Sequence, residues 1–331
     1  MRRLIAILLS VHLAATISSL AGTRRDDVAD VNFVNLGADP RYDTVGRFTY
    51  SVGAGSFIAS GVLISPEWVL TAAHVVQGNN LSGGGLTGLT FSLTAGAYSF
   101  VYTGMQWIPH PGWAETGGNV FAGYDIGLVR LDRPVSVVEP ATIYGSFSVS
   151  VQPGTIVGYG STGTGLTGFI PGSAGTKRAG QNMIDGIGDG ISVSSAVLFA
   201  DFDDPSDPAK NSIGSPSPLA MEYLSAPGDS GGGLFITQGA NTYLLGITSF
   251  GWARLDGNPN SSYGDLAGFV AVSPFLDWIN TTINPGLIQT ASIANAIPEP
   301  ETWFTALALL LFAFVLRQRR GSKMSRNLSP R

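Results

Sequence analysis

Short runs of apolar and β-branched residues dominate the middle of the chain, and glycine, serine, asparagine and proline separate one run from the next. Each run has the length of a strand and falls short of a typical helix. The pattern therefore predicts an all-β fold, either a sandwich or a barrel. The clearest runs are Phe57–Ile64, Trp68–Thr71, Ile126–Leu131, Thr155–Tyr159, Leu234–Thr237 and Tyr243–Ser249.

Two segments depart from this strand pattern. Residues 274–281 carry apolar side chains at helical spacing, which predicts a helix near the end of the folded body. Residues 160–175 are so rich in glycine that we expect a surface loop there. No repeat of fixed period is present, so a solenoid or propeller is not expected.

Composition narrows the choice of function. Of the 331 residues, 44% are hydrophobic and 12% are charged, which argues against a disordered chain. Residues 22–297 hold 10 Lys and Arg against 21 Asp and Glu, and such an acidic body repels nucleic-acid phosphates. The chain contains no Cys, which excludes disulfides and thiolate metal sites.

The N-terminal residues 1–21 have the pattern of a secretory signal peptide. Arg2 and Arg3 precede an apolar stretch over residues 4–15, and small residues including Ser19 and Ala21 stand at the expected cleavage position. We therefore expect export through the inner membrane. An ordinary N-terminal strand or helix is the alternative interpretation.

The C-terminus has a second sorting pattern. Residues 298–300 read Pro-Glu-Pro, an apolar stretch follows from Trp303 to Leu316, and Arg317, Arg319 and Arg320 come next. Fourteen apolar residues are few for a helix that must cross about 30 Å of hydrocarbon, and the basic cluster should stay in the cytoplasm. A single-span membrane anchor is one interpretation of this segment.

The order of these three features resembles the PEP-CTERM sorting signal of Gram-negative bacteria. The resemblance implies that an exosortase-type enzyme removes the tail after transient membrane contact, leaving a secreted or cell-surface protein. On this interpretation residues 284–296 are a linker, residues 297–320 are the signal with its short transmembrane segment, and residues 321–331 are a basic tail.

Three residues of the body are candidates for nucleophilic catalysis. His74 ends one predicted strand, and Asp125 directly precedes another, so Asp125 needs a partner once it is buried. Glycines flank Ser230 and its neighbour Asp229, which lets backbone N–H groups approach a substrate carbonyl. Each residue also has a structural interpretation, as a packed histidine, a cap and a turn. His110, between two prolines, has no role beyond structure in this scheme.

The segments LTAAH, DIGLVRL and GDSGG around these residues resemble the trypsin-like serine proteases of the chymotrypsin fold, in the family's order of His, Asp and Ser. The resemblance extends from Phe57 to Trp278. It implies two six-stranded antiparallel β-barrels and a C-terminal helix within residues 22–283, with the barrel junction near residues 140–155. It also implies a serine endopeptidase that cleaves proteins or peptides without a metal or an organic cofactor.

The resemblance also assigns site roles. Ser230 would be the nucleophile, His74 the general base and acid, and Asp125 the residue that orients His74. The N–H groups of Gly228 and Ser230 would form the oxyanion hole. The segment Ser249-Phe250-Gly251 would pair with the substrate backbone as an added strand.

Substrate specificity is predicted from the residues that correspond to the family's primary pocket. Leu224 stands six residues before Ser230, where the trypsin branch has an Asp, so a Lys or Arg side chain would lack a charge partner. Gly251 and Gly268 would form the open pocket walls. We therefore expect an apolar or aromatic residue before the cleaved bond.

Two departures from the family keep an alternative function open. The family's Asp before the nucleophile, here Asp229, pairs with a new N-terminus, yet no Ile-Val-Gly-Gly lies between Gly22 and Tyr50, where residues 41–46 offer only a weak processing point. The family's cysteines are also missing, and Val75 stands where one usually follows the histidine motif. The alternative is therefore an inactive protein of the same fold that serves in binding or in the extracellular matrix.

Overall fold

The computed structural model describes residues 22–77, 85–146, 150–188, 193–283 and 290–291. The predicted signal peptide, sorting signal and basic tail lie outside these residues, as does most of the predicted linker. Within the described part of the chain, no helix is both long enough and apolar enough to cross a membrane.

The described elements are mostly strands. In chain order they are β1 (Gly22–Arg24), β2 (Val45–Val52), β3 (Gly55–Ser65), β4 (Trp68–Thr71), β5 (Leu86–Ala95), β6 (Tyr98–Pro109), β7 (Gly127–Leu131), β8 (Ile143–Tyr144), β9 (Gln152–Gly158), β10 (Thr162–Thr164), β11 (Gly168–Phe169), β12 (Arg178–Ile184), β13 (Gly186–Ile187), β14 (Val197–Asp201), β15 (Tyr223–Leu224), β16 (Gly233–Gln238), β17 (Asn241–Ala253), β18 (Asp265–Ala271) and β19 (Thr290–Ala291). The α-helices are α1 (Asp30–Gly37), α2 (Ala73–Val76), α3 (Pro111–Glu115) and α4 (Leu276–Ile283). All six strands predicted from the apolar runs are present.

The first half of the body is a closed barrel with the strand order β2-β3-β4-β7-β6-β5. Phe48 of β2 pairs with Phe91 of β5 across the closing seam, and their rings lie 4.9 Å apart. Alternate side chains of each strand point inward, so these rings pack against Leu63, Val69 and other buried aliphatic residues. Val75 is fully buried in the same cluster, where packing takes the place of a disulfide.

The second half contains six long antiparallel strands in the order β12-β9-β16-β17-β18-β14. This sheet curves into a half-barrel, and its two edges approach one another where Asn182 Nδ2 of β12 donates to the carbonyl of Asp201 in β14 at 2.6 Å. The predicted all-β fold with two six-stranded barrels is thus confirmed, with the second barrel open along one seam. Helix α4 follows the last long strand, as predicted, and buries Ile279 and Ile283.

The prediction of a surface loop over residues 160–175 was wrong. Residues 160–175 are not a simple loop, because β10 and β11 lie within them and join β1 and β15 in a four-stranded sheet. Thr162 of β10 pairs with Gly22 of β1, and its side chain is buried. Pairing with a distant segment outweighs the low strand propensity of glycine, which local sequence cannot reveal.

A cluster of carboxylates lies near the open seam of the second half-barrel. Asp201 accepts hydrogen bonds from the backbone N–H groups of Ser212 and Ile213 at 2.6 and 3.0 Å. Asp185 shares a hydrogen bond with Asp201, and burial together with the charges of Asp201 and Asp203 raises the pKa of Asp185 to about 7. Burial also raises the pKa of Asp203 to about 6. The folded state therefore holds protons here that the unfolded chain releases.

These raised pKa values predict that the protein loses stability as the pH rises. A carboxyl whose folded pKa lies above its unfolded value stabilises the fold fully below the unfolded value and loses that contribution as the pH passes the folded one. Asp185→Asn keeps a donor for Asp201 and removes the charge, so its free energy of unfolding should fall less than the wild type's between pH 5 and 8. Denaturant unfolding at several pH values measures this. Asp277→Asn, which removes an exposed carboxyl, should keep the wild-type slope, and equal slopes for all three proteins would contradict the prediction.

Candidate active site

The pairing of β4 with β7 brings His74 to Asp125. Thr71, the last residue of β4, pairs with Gly127, the first residue of β7, so the residues just beyond these ends meet. His74 lies in the first turn of α2, and its backbone N–H donates to Asp125 Oδ1 at 2.8 Å. His74 Nδ1 lies 2.7 Å from Asp125 Oδ2. The two contacts fix both the position and the rotation of the imidazole.

Asp125 is completely buried and has a third partner. Ser249 Oγ, at an irregularity in β17, donates to Asp125 Oδ2 at 2.5 Å. Sequence analysis assigned Ser249 only to the substrate-binding strand, so this contact was missed. Burial by itself would raise the pKa of Asp125, but the charge of His74 and these hydrogen bonds outweigh it, and the net pKa is lowered. Asp125 is therefore an anion held in a dry site.

The electrostatics of His74 follow from the same contact. Burial by itself would lower the pKa of the imidazole, whereas the charge and hydrogen bond of Asp125 raise it, and the net pKa lies above 6.5. About a quarter of the His74 side chain is exposed, so the ring can exchange a proton with a group in the cleft. His110, in contrast, packs among Tyr124, Phe275 and Trp278, and burial lowers its pKa.

Ser230 lies in a tight loop between β15 and β16 that contacts the first barrel. Gly231 leaves no room for a side chain, since an added Cβ would lie 1.9 Å from Thr71 Oγ1 and 2.9 Å from the backbone nitrogen of Ala72. The loop that carries Ser230 therefore lies against the segment that carries His74. Among the described residues, no hydrogen bond joins the side chains of Ser230 and His74, a contact that commonly tightens only when substrate binds.

This loop carries two backbone donors that face away from the body. The N–H groups of Gly228 and Ser230 have no acceptor among the described residues. The carbonyl of Pro227 accepts from Ser161 N–H at 2.7 Å, and the carbonyl of Asp229 accepts from Gly232 N–H at 2.7 Å. Because a trans peptide places its C=O and N–H on opposite sides, each bond turns the following N–H away from the body. Gly228 adopts φ +102°, which a side chain would make strained.

Asp229, whose partner the sequence left open, is fully buried beneath this loop. Its carboxylate accepts from Gly160 N–H at 2.7 Å and from Ala226 N–H at 2.9 Å. Burial raises the pKa of Asp229 to about 6, while these two donors and the guanidinium of Arg178 act in the opposite direction. Arg178 is itself fully buried and forms a two-pronged ion pair with Asp30 at 2.7 and 2.8 Å. Two backbone donors thus bind the carboxylate of Asp229, and the charge of the buried Arg178 favours its ionised form.

A cleft of about 320 Å³ opens beside Ser230. Its lining includes Ser225, Ser249, Phe250, Gly251 and Ser261 and contains no charged side chain. Ser261 Oγ donates to the carbonyl of Ser225 at 2.9 Å, which closes one side of the cleft.

Two residues predicted for the pocket lie elsewhere. Leu224 does not line the cleft, because it is buried in β15 and pairs with Thr23 of β1. Gly268 packs against the Phe250 ring instead, where an added Cβ would lie 2.4 Å from a ring carbon. Ser225, the neighbour of Leu224, lines the cleft, and no motif or spacing in the sequence points to it.

Comparison with known proteins agrees with this geometry. Residues 36–182 match the protein family described as Trypsin, a stretch that contains His74 and Asp125 and ends before Ser230. This stretch of the chain is similar to trypsin-like serine protease domains.

Three relatives show the extent of the similarity. The complement C1s subcomponent of Bos taurus is 26% identical over 258 residues, which cover 72% of this chain and 34% of that protein. The chymotrypsin-like elastase family member 1 of Homo sapiens is 29% identical over 248 residues, 70% of this chain and 84% of the relative. Brachyurin of Leptuca pugilator is 28% identical over 239 residues, 68% and 87% of the two chains. The matched region thus spans about a third of the bovine complement protein's length.

The contact between Asp125 and His74 predicts the behaviour of the two histidines in solution. In Asp125→Asn the charge that raises the pKa of His74 is lost while burial remains, so this pKa should fall below 6.5. Titration of the imidazole protons by NMR measures it. His110 is the internal control, because its ring packs on Tyr124, Phe275 and Trp278. Burial and the charge of Glu115 set its pKa without a contribution from Asp125, so this pKa should not change. An unchanged His74 titration would show that Asp125 does not set the charge state of the ring.

Proposed function

We propose that this chain is an exported serine endopeptidase that works through Ser230, His74 and Asp125. The observation that carries the proposal is the chain of contacts from Ser249 through Asp125 to His74. Next to it lies the Ser230 loop, where the N–H groups of Gly228 and Ser230 have no acceptor among the described residues. A solely structural histidine would not need a buried anion behind it, and a buried anion is costly unless it is paired.

In the proposed reaction, Ser230 Oγ attacks the carbonyl carbon of the peptide bond while His74 Nε2 accepts its proton. The carbonyl oxygen becomes an oxyanion and receives hydrogen bonds from the N–H groups of Gly228 and Ser230. His74 then gives the proton to the leaving amine, and an acyl-enzyme remains. Water, activated by His74, releases the acid and restores Ser230. Asp125 holds the ring in the required tautomer and stabilises its charged form.

The lining of the cleft supports a preference for uncharged side chains before the cleaved bond. Ser225, Phe250 and Ser261 line the cleft, and the Ser261 hydroxyl donates to the Ser225 carbonyl. A Lys or Arg side chain would lose water there without gaining a carboxylate partner. The proposed substrates are proteins or peptides with a small, apolar or aromatic residue at this position.

Location is proposed from the chain ends alone. Residues 1–21 would direct export through the inner membrane of a Gram-negative bacterium, and residues 297–320 would hold the protein transiently in the membrane until an exosortase-type enzyme removes the tail. The mature enzyme would then be secreted or attached to the cell surface.

The proposed nucleophile can be tested by covalent labelling. A fluorophosphonate modifies only a serine that is activated, so mass spectrometry of the labelled protein should locate the adduct on Ser230. Ser230→Ala should abolish labelling, whereas the variant of the exposed Ser56, Ser56→Ala, should label at the wild-type rate. A folded wild-type protein that is not labelled would favour the alternative, an inactive protein of this fold that serves in binding or in the matrix.

Specificity is tested with a peptide library. The wild type should cleave after uncharged residues and reject Lys and Arg by at least about tenfold in kcat/KM. Ser225→Asp places a carboxylate in the cleft and should raise cleavage after Lys and Arg, whereas Leu224→Asp, outside the cleft, should not produce a functional pocket for these residues. Wild-type cleavage mainly after Lys or Arg would contradict the proposed preference.

A further inference from the structure

Ser60 lies in the middle of β3, in the first barrel, and is completely buried. Each of its polar groups is used. Its N–H donates to the carbonyl of Ser230 at 2.9 Å, and its own carbonyl accepts from Thr71 Oγ1 at 2.8 Å. Its hydroxyl donates to the carbonyl of Gly228 at 2.9 Å and accepts from Tyr159 N–H at 2.9 Å. A single serine thus joins the loop that carries Ser230, the end of β9 and the segment that leads to His74.

The two carbonyls that Ser60 holds alternate along the chain with the two donors of the cleft. Each of Gly228 and Ser230 turns its N–H away from the body and its carbonyl to Ser60. Ser60 donates a hydrogen bond to both of these carbonyls. Each peptide that carries a donor is therefore followed by a peptide that Ser60 holds, and the two share a Cα, so Ser60 limits the rotation of the donor. Gly228 has a φ of +102°, which is accessible chiefly to glycine.

Of the polar groups of Ser60, only the hydroxyl belongs to the side chain, so a substitution can remove it and leave the backbone groups in place. Without it, the Gly228 carbonyl and the Tyr159 N–H would both lose a partner beside a side chain that is fully buried. The peptide between Gly228 and Asp229 could then turn toward other partners, and the direction of the Gly228 N–H would no longer be fixed from this side.

We propose that Ser60 is a positioning residue that holds the backbone donors of Gly228 and Ser230 in the orientation needed for an oxyanion. The inference rests on the proposed function of these donors. Ser60 acts through the backbone of the loop that carries Ser230 and does not itself line the cleft. Its contribution should therefore appear in the transition state and hardly at all in substrate binding.

The test compares Ser60→Ala with the wild type after the active sites of both have been counted by burst titration. The variant should lose about 10- to 100-fold in kcat per active site while KM changes less than about threefold. Its affinity for a peptidyl trifluoromethyl ketone, which forms an oxyanion on Ser230, should fall by about the same factor as kcat/KM. If Ser60→Ala does not fold, Ser60→Cys, with a weaker hydrogen-bonding group of similar shape, provides the same comparison.

The control is Ser65→Ala, on the same strand. Ser65 is equally buried, but its hydroxyl has no hydrogen-bond partner among the described residues, so its loss should leave kcat and inhibitor affinity unchanged. A wild type that is active and a Ser60→Ala protein with the same kcat and inhibitor affinity per active site would overturn the inference alone. A wild type that neither cleaves peptides nor reacts with fluorophosphonate would instead overturn the proposed function, and the inference with it.

Discussion

The structure of the site depends on one buried charge. Asp125 has no contact with water, and an unpaired carboxylate in such a place would be released by unfolding or neutralised by a proton. Its partners come from two segments that are distant in sequence: the backbone and ring of His74, and the hydroxyl of Ser249 from the second half of the body. The halves must therefore pack together before the charge is satisfied, which couples the folding of the domain to the assembly of the site.

A second buried carboxylate, Asp229, lies beneath the loop that carries Ser230, and different partners stabilise it. Asp229 is as deeply buried as Asp125, yet its carboxylate is met by two N–H groups of the backbone, with the Arg178 charge also favouring its ionised form. Gly160 is needed there because an added Cβ would lie 2.5 Å from the carboxylate carbon. At Asp125 the charge of His74 and the hydrogen bonds of His74 and Ser249 outweigh burial and lower the pKa. At Asp229 the two backbone donors and the Arg178 charge do not outweigh burial, so the pKa stays raised.

The sequence predicted the parts of this structure that depend on residues close together in the chain. Apolar runs such as Trp68–Thr71 gave the strands, and the surroundings of His74, Asp125 and Ser230 gave candidates for the site. It could not give what depends on distant pairing. Leu224 was placed in the pocket by counting residues from Ser230, whereas its pairing with β1 directs it into the interior and leaves Ser225 in the cleft. Ser60 carries no motif at all, because its role comes from contacts more than 90 residues away in the chain.

The loop that carries Ser230 must meet two separate requirements. In the proposed mechanism Ser230 needs a base, which the first barrel would supply through His74 and Asp125, while the backbone of Ser230 must present N–H groups to the same point in space. The first requirement tolerates adjustment, because side chains can rotate when substrate arrives. The second does not, because a peptide that turns also turns its neighbours. Beneath the Gly228–Ser230 peptides, Ser60, Ser161 and Gly232 accordingly hold the four successive carbonyls of residues 227–230.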